Sequence, residues 1–133
     1  MKWFFLYIGV LIFMACGSTK TGGVQAPALE GEYQIVQVGS ETLNDPEFTI
    51  IFDLEEQSAY GYVGCNRFSS GFTQDGGMLH FNRSISTKMY CEGKMEIEDQ
   101  VLRSLEEVTG VRHDNGNLVL HSSDNKGLIT IKK

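Results

Sequence analysis

Cys65 and Cys91 have the widest choice of chemistry in this chain, 26 positions apart. Joined, they close a loop for which the chain-entropy model gives roughly 3–4 kcal/mol of stabilisation. As free thiols they are structural, or one is a nucleophile that wants a nearby base in an electropositive site. A metal pair is the remaining choice, but zinc wants four ligands in close-set pairs. The sequence has no Cys-x-x-Cys or His-x-x-x-His unit, so no metal site is expected. His80 and His121 lie in strand-like stretches and His113 near a turn; no spacing ties a histidine to Cys65. Glu96 with Glu98, and Glu106 with Glu107, are close in sequence, but on a helix residues one or two apart do not face each other. They are expected on a solvated face, and no catalytic residue is assigned. Asn66 and Arg67 follow Cys65 at a strand end, where a bend aims their side chains. They are candidate binding residues; the alternative for Asn66 is that it hydrogen-bonds nearby backbone and fixes the turn.

The elements that must position these residues are mostly strands. Period-two alternation marks Glu32–Val38, with a slip near Val36, then Phe48–Phe52, Ala59–Cys65, Phe68–Gln74 and Met78–Phe81. In the third of these, Gly61, Val63 and Cys65 share one face, and Gly64 suggests a bend where the strand leaves the sheet. Ser84–Met89 continues as an extended, half-buried edge. Lys94–Thr109 changes to a helical period, with an apolar stripe of Met95, Ile97, Val101, Leu102, Leu105 and Val108. Gly110 is a natural stop. Val111–His113, Leu118–His121 and Leu128–Ile131 return to strand, with turns at Asn115-Gly116 and Asp124–Gly127. The expected fold class is mainly β (α+β). It is a small antiparallel barrel of about 7–8 short strands, with one helix packed on an end or seam. Tyr33, Phe48, Phe52, Tyr62, Phe68, Phe72 and Phe81 either fill its core or line a cavity.

The chain has 133 residues, one domain by length, and is 41% hydrophobic, which suits a packed core. Fifteen glycines and 2 prolines point to many tight turns. Residues 1–15 read as a signal peptide: Lys2, then an apolar run too short to span a bilayer. Phe13-Met14-Ala15-Cys16-Gly17-Ser18 resembles the lipobox of bacterial lipoproteins, which makes Cys16 the lipid anchor. The alternative is an ordinary secretory peptide cleaved elsewhere. Residues 16–29 read as a flexible tether and 30–133 as the folded domain. Lipidation of Cys16 leaves Cys65 and Cys91 as an even pair in an oxidising compartment, which favours the disulfide. Losing Lys2 leaves 10 basic side chains against 17 acidic, a net charge of −7. That balance argues against nucleic acid as a partner.

Four segments together are similar to the META domain family, HslJ-like in type. They are Gly64-Cys65-Asn66-Arg67-Phe68, Thr87-Lys88-Met89-Tyr90-Cys91, Met95-x-x-Glu98-x-x-Val101-Leu102-x-x-Leu105, and Gly116-Asn117-Leu118-Val119-Leu120. The resemblance covers roughly Gly31 to Lys133. Tyr33 stands where the family usually has tryptophan and Tyr90 where alanine is usual; both are expected to be packing changes. The resemblance implies a small barrel with one helix, no established catalysis and no cofactor. It also implies a link to stress tolerance. The expected protein is a non-enzymatic, monomeric lipoprotein of the bacterial envelope, on the outer membrane facing the periplasm, that binds envelope proteins in a chaperone-like role. A hollow-barrel carrier of a small hydrophobic ligand or lipid, and a thiol-dependent enzyme, are the alternatives.

Overall fold

The computed structural model describes residues 25–133; the expected signal peptide, Cys16 and most of the tether lie outside the described residues. The strands are β1 (Gly31–Val38), β2 (Glu41–Thr42), β3 (Thr49–Asp53), β4 (Ser58–Tyr62), β5 (Arg67–Asp75), β6 (Met78–Phe81) and β7 (Ile85–Ser86). One helix, α1 (Met95–Glu107), precedes β8 (Gly110–Asp114), β9 (Asn117–His121) and β10 (Gly127–Lys132).

All pairings are antiparallel, as short hairpin connections require. The order runs β10-β9-β8-β6-β5-β4-β3-β1-β2, and β10 also pairs β1, so the sheet rings round on itself. Eight strands make the ring. The two-residue β2 and β7 attach to β1 and β5, which accounts for ten strands where seven or eight were expected. The weakest join is β6 to β8, with Met78 opposite Gly110 as its one ladder pair. The expected slip in the first strand is real. Its register against β10 shifts between Ile35 and Gln37, which lets both Ile35 and Val38 point inward.

Inside the ring, alternate residues of each strand meet. Ile35, Ile50, Leu79, Leu120, Ile129 and Ile131 are almost wholly buried. Phe52 stands edge-on to Tyr33 and Phe72, with centroids 5.8 and 5.2 Å apart, and Phe81 leans on both phenylalanines. Such edge-to-face contacts suit the ring quadrupoles. Four of the seven aromatics that a carrier would turn toward its ligand, Tyr33, Phe52, Phe72 and Phe81, are here packed on one another.

Helix α1 touches β1 and β10 on one side of the ring and β6 on the other, so it crosses one mouth. Val101 and Leu105 are fully buried beneath it. Gly110 does not stop the helix as expected: α1 ends at Glu107, and Gly110 opens β8 instead. The domain also begins before residue 30, where the tether was expected to end. Leu29 is fully buried, its N–H donates to Gln74 Oε1, and Gln74 Nε2 donates to the Pro27 carbonyl. An apolar residue within reach of the ring is drawn in, because burying a leucine is worth roughly 2 kcal/mol.

Candidate functional site

β4 stops at Tyr62, three residues short of the expected end at Cys65. Gly64 explains it. Its φ is +94°, and a Cβ there would stand 2.7 Å from the Phe48 ring, so the chain turns out of the sheet where only glycine fits. The turn delivers Cys65 and Asn66 to the mouth that α1 covers. Cys65 is bonded to Cys91, with Cα atoms 5.8 Å apart, in the usual span of a disulfide. Neither sulfur is then the free thiol that a thiol-dependent enzyme needs.

Asn66 is 1% exposed and uses all its side-chain hydrogen-bonding capacity. Its Nδ2 donates to Glu98 Oε1 at 2.9 Å and to the Met89 carbonyl at 3.0 Å. Its Oδ1 accepts from Thr87 Oγ1 at 2.7 Å and from the Met89 N–H at 2.8 Å. Its own backbone N–H donates to Glu98 Oε2 at 2.9 Å. One side chain therefore ties the bend after β4, the loop before Cys91 and the first turns of α1. The disulfide joins the same bend and loop covalently.

Glu98 corrects the expectation of a solvated acidic face: it is 3% exposed, while Glu96 is exposed. The signal was in the spacing. Glu98 lies three residues before Val101 and seven before Leu105, on the buried stripe. Its partner on that stripe, Asn66, comes from 32 residues away and has no local signature. Glu96 and Glu98 also sit in the first turn of α1, where the helix dipole favours carboxylates.

Arg67 points outward. It lines a shallow cleft of about 500 Å³ with Glu32, Pro46, Glu47, Thr49 and Tyr62, and another of about 320 Å³ with Phe68, Ser69 and Ile85. The adjacent candidates Asn66 and Arg67 thus part company, one inside and one out. The three histidines occupy separate strands: His80 is exposed on β6, His113 is exposed near the β8–β9 turn, and half-buried His121 faces the Ser122 carbonyl through Nδ1. Among the described residues no three His, Cys, Asp or Glu side chains are grouped to hold a metal ion, and no helix is long and apolar enough to cross a membrane.

Of the two departures from the family pattern, Tyr33 is a packing residue: it is 4% exposed, with Lys133 Nζ 5.2 Å above its ring. Tyr90 is not. It is 81% exposed, next in the chain to Met89 at 59%, and Ile85 on β7 is 76% exposed.

The META domain model matches residues 26–133, nearly all of the described chain. The chain belongs to the META domain family. The match begins at Ala26, in keeping with the buried Leu29. No curated protein matches the chain. Among solved structures, it is similar to a protein from Burkholderia xenovorans determined by NMR, at 22% identity and a TM-score of 0.58. That likeness covers 78% of this chain and 81% of the other. It is also similar to a duf4847 family protein from Bacteroides vulgatus, at 15% identity and a TM-score of 0.59, over 78% and 92% of the two chains. At such identities the likeness shows the fold.

Proposed function

We propose that this META domain protein is a non-enzymatic, lipid-anchored protein of the bacterial envelope. It acts by binding envelope proteins in a chaperone-like role during stress. One observation carries the reading. Where the disulfide and Asn66 tie the bend, the loop and the helix together, the reactive and polar groups are used up as structure, while Met89 and Tyr90 of that loop are left exposed, as is Ile85 on β7. A site whose polar groups satisfy each other is built to hold a shape, and exposed apolar side chains on a fixed frame suit contact with another protein. The sequence of residues 1–16 supports the anchor and the compartment, because a disulfide persists in an oxidising space.

The test is cross-linking in intact envelopes, with and without heat stress, followed by capture of the tagged chain. Enriched envelope proteins that are lost with a Tyr90→Asp, Met89→Asp double variant are the expected result. Wild-type captures that match an untagged control overturn the reading. Labelled fatty acid that enters the wild type but not Cys16→Ser checks the anchor separately.

A further inference from the structure

β7 is paired on one side only. Phe68 and Ser69 of β5 face Ser86 and Ile85, and no strand lies beyond among the described residues. Its free edge borders a groove of about 550 Å³ whose far wall is α1, through Leu102 and Glu106. Arg83, Ser84, Ile85, Ser86 and Lys88 form the near wall. In an antiparallel edge strand, alternate residues turn their N–H and C=O groups away from the partner strand. Thr87 gives its N–H to the Arg67 carbonyl, so Ser86, the neighbouring residue in β7, turns its N–H and C=O away from β5, to the groove. Ser84, in the same wall, has a buried hydroxyl oxygen without a hydrogen-bond partner among the described residues.

We propose that the groove between the free edge of β7 and helix α1 is a docking site for an extended, acidic polypeptide segment, which adds to β7 as a further strand. This deepens the proposed binding role and rests on it. A strand edge supplies main-chain hydrogen bonds, and pockets beside it choose alternate side chains, the usual logic of strand addition. Ile85 and Leu102 supply the apolar part. Charge decides the occupant. The chain as a whole is acidic, at −6, yet the groove wall carries two cations, Arg83 and Lys88, against one carboxylate, Glu106 on the helix side, and neither cation is in an ion pair among the described residues. An acidic side chain or a C-terminal carboxylate meets both.

A lipid surface fits less well. Free backbone groups in a concave wall gain nothing from acyl chains, and the net charge repels anionic headgroups. The described chain also enters beside Leu54, Gln74 and Gly76, at the far end of β5 from the β7 pairing. Six residues of strand put about 20 Å between that entry and the groove. The groove and the entry of the described chain thus lie toward opposite ends of β5.

The test selects displayed random peptides on the full chain in mild detergent, then follows a labelled winner by fluorescence anisotropy. Selected peptides should be rich in Asp and Glu. Arg83→Glu with Lys88→Glu should abolish binding, and added salt should weaken it in the wild type. Ser86→Pro removes one outward N–H and should weaken binding about tenfold, the worth of one backbone hydrogen bond. Because a proline variant can disturb folding, a peptide N-methylated at alternate residues is tried on the wild type. One of the two methylation registers should lose a similar factor and the other little. The proposal fails if no peptide is enriched over an unrelated control protein. It fails equally if binding ignores both the charge reversal and the methylation register. Binding to phosphatidylethanolamine–phosphatidylglycerol vesicles in place of peptide also overturns it. Envelope cross-linking separates the two readings. Proteins captured equally by wild type and Ser86→Pro sink the groove and leave the binding role standing. Capture by neither sinks the role, while the peptide assay still judges the groove.

Discussion

Asn66→Ala is the most informative single substitution. It removes two donated and two accepted side-chain hydrogen bonds, one of them to the Glu98 carboxyl. A neutral hydrogen bond is worth about 0.5–1.5 kcal/mol net and one to a charged group about 1.5–3, so the four together give about 3–7 kcal/mol. Thr87 and Met89 lie on an exposed loop, where water can replace part of the loss. The expected cost is therefore about 3–5 kcal/mol, a large part of the roughly 5–15 kcal/mol that holds a small domain together. With a slope near 1.5 kcal/mol per molar, the urea midpoint should fall by about 2–3 M.

The same substitution without the disulfide tests whether bond and network close one loop. Replacing both cysteines by serine frees a 26-residue separation, worth about 3.5 kcal/mol in the chain-entropy model. With the disulfide present, residues 87–91 are held in place and the Asn66 bonds form at little further entropy cost. Without it, part of their energy goes into ordering that loop. Asn66→Ala should then cost less by about 1 kcal/mol, the coupling expected of residues in one network. Urea curves of the four proteins in the cycle measure it. A midpoint shift below about 0.5 M for Asn66→Ala in the wild type refutes the keystone role. Strict additivity refutes the shared loop.

Other substitutions probe separate parts of the fold. Glu98→Gln turns one acceptor into a donor facing Asn66, and should lower the unfolding free energy by about 1.5–3 kcal/mol in the same urea assay. Gly61→Ala sets a methyl group against the Thr49 carbonyl and 2.8 Å from the Phe68 ring. It should cost at least about 3 kcal/mol or prevent folding, read as loss of the soluble disulfide-bonded form. Phe52→Ala empties the centre of the aromatic cluster, and thermal unfolding should report about 3–5 kcal/mol. In the β9–β10 turn, the Ser122 hydroxyl donates to Asp124 and holds that carboxyl below its ordinary 3.8. The lowered value means a small stabilisation, present above pH 3.8 and lost as pH falls through the folded value. Ser122→Ala should move the Asp124 NMR titration midpoint up toward 3.8; an unchanged midpoint refutes the assignment.

Much of the fold was legible because strands alternate. Phe48, Ile50 and Phe52 read as one face and are one buried face. Where the chain departs from alternation, local chemistry still showed: glycine at 64 announced the bend, and Asn115 with Gly116 the turn between β8 and β9. Of the expected half-buried edge Ser84–Met89, the first half is one: Ser84 and Ser86 are half-buried and β7 pairs β5 alone, while residues 87–89 are exposed and outside any strand. Its pairing shrinks to Ile85–Ser86, because Asn66 takes the loop that follows and pulls Thr87 and Met89 to itself. Tyr90 was read as packing for the same reason, since a residue beside a disulfide looks central in sequence and here stands outside. The narrow seam between β6 and β8 had no signal in any one stretch of sequence. It follows from where a ring of short strands runs out of partners, which no single stretch of residues encodes.

Three of the four segments that make the chain resemble its family meet in one place; the fourth, Gly116–Leu120, runs from the β8–β9 turn into β9. Gly64 turns the chain, Cys65 and Cys91 bond, Asn66 gathers Thr87 and Met89, and Glu98 closes on Asn66 from the helix. Three separated pieces of sequence thus describe a single clasp. A clasp has to be kept if the helix is to stay over the mouth of the ring, whatever the protein binds. Under the proposed binding role, specificity belongs to parts the clasp leaves free: Ile85, Tyr90, Arg83 and Lys88, which contribute nothing to its bonds. Substitutions there should change partners at little cost in stability, and substitutions at Asn66 or Glu98 the reverse. A variant set in which both groups of positions shift the urea midpoint alike would remove the distinction.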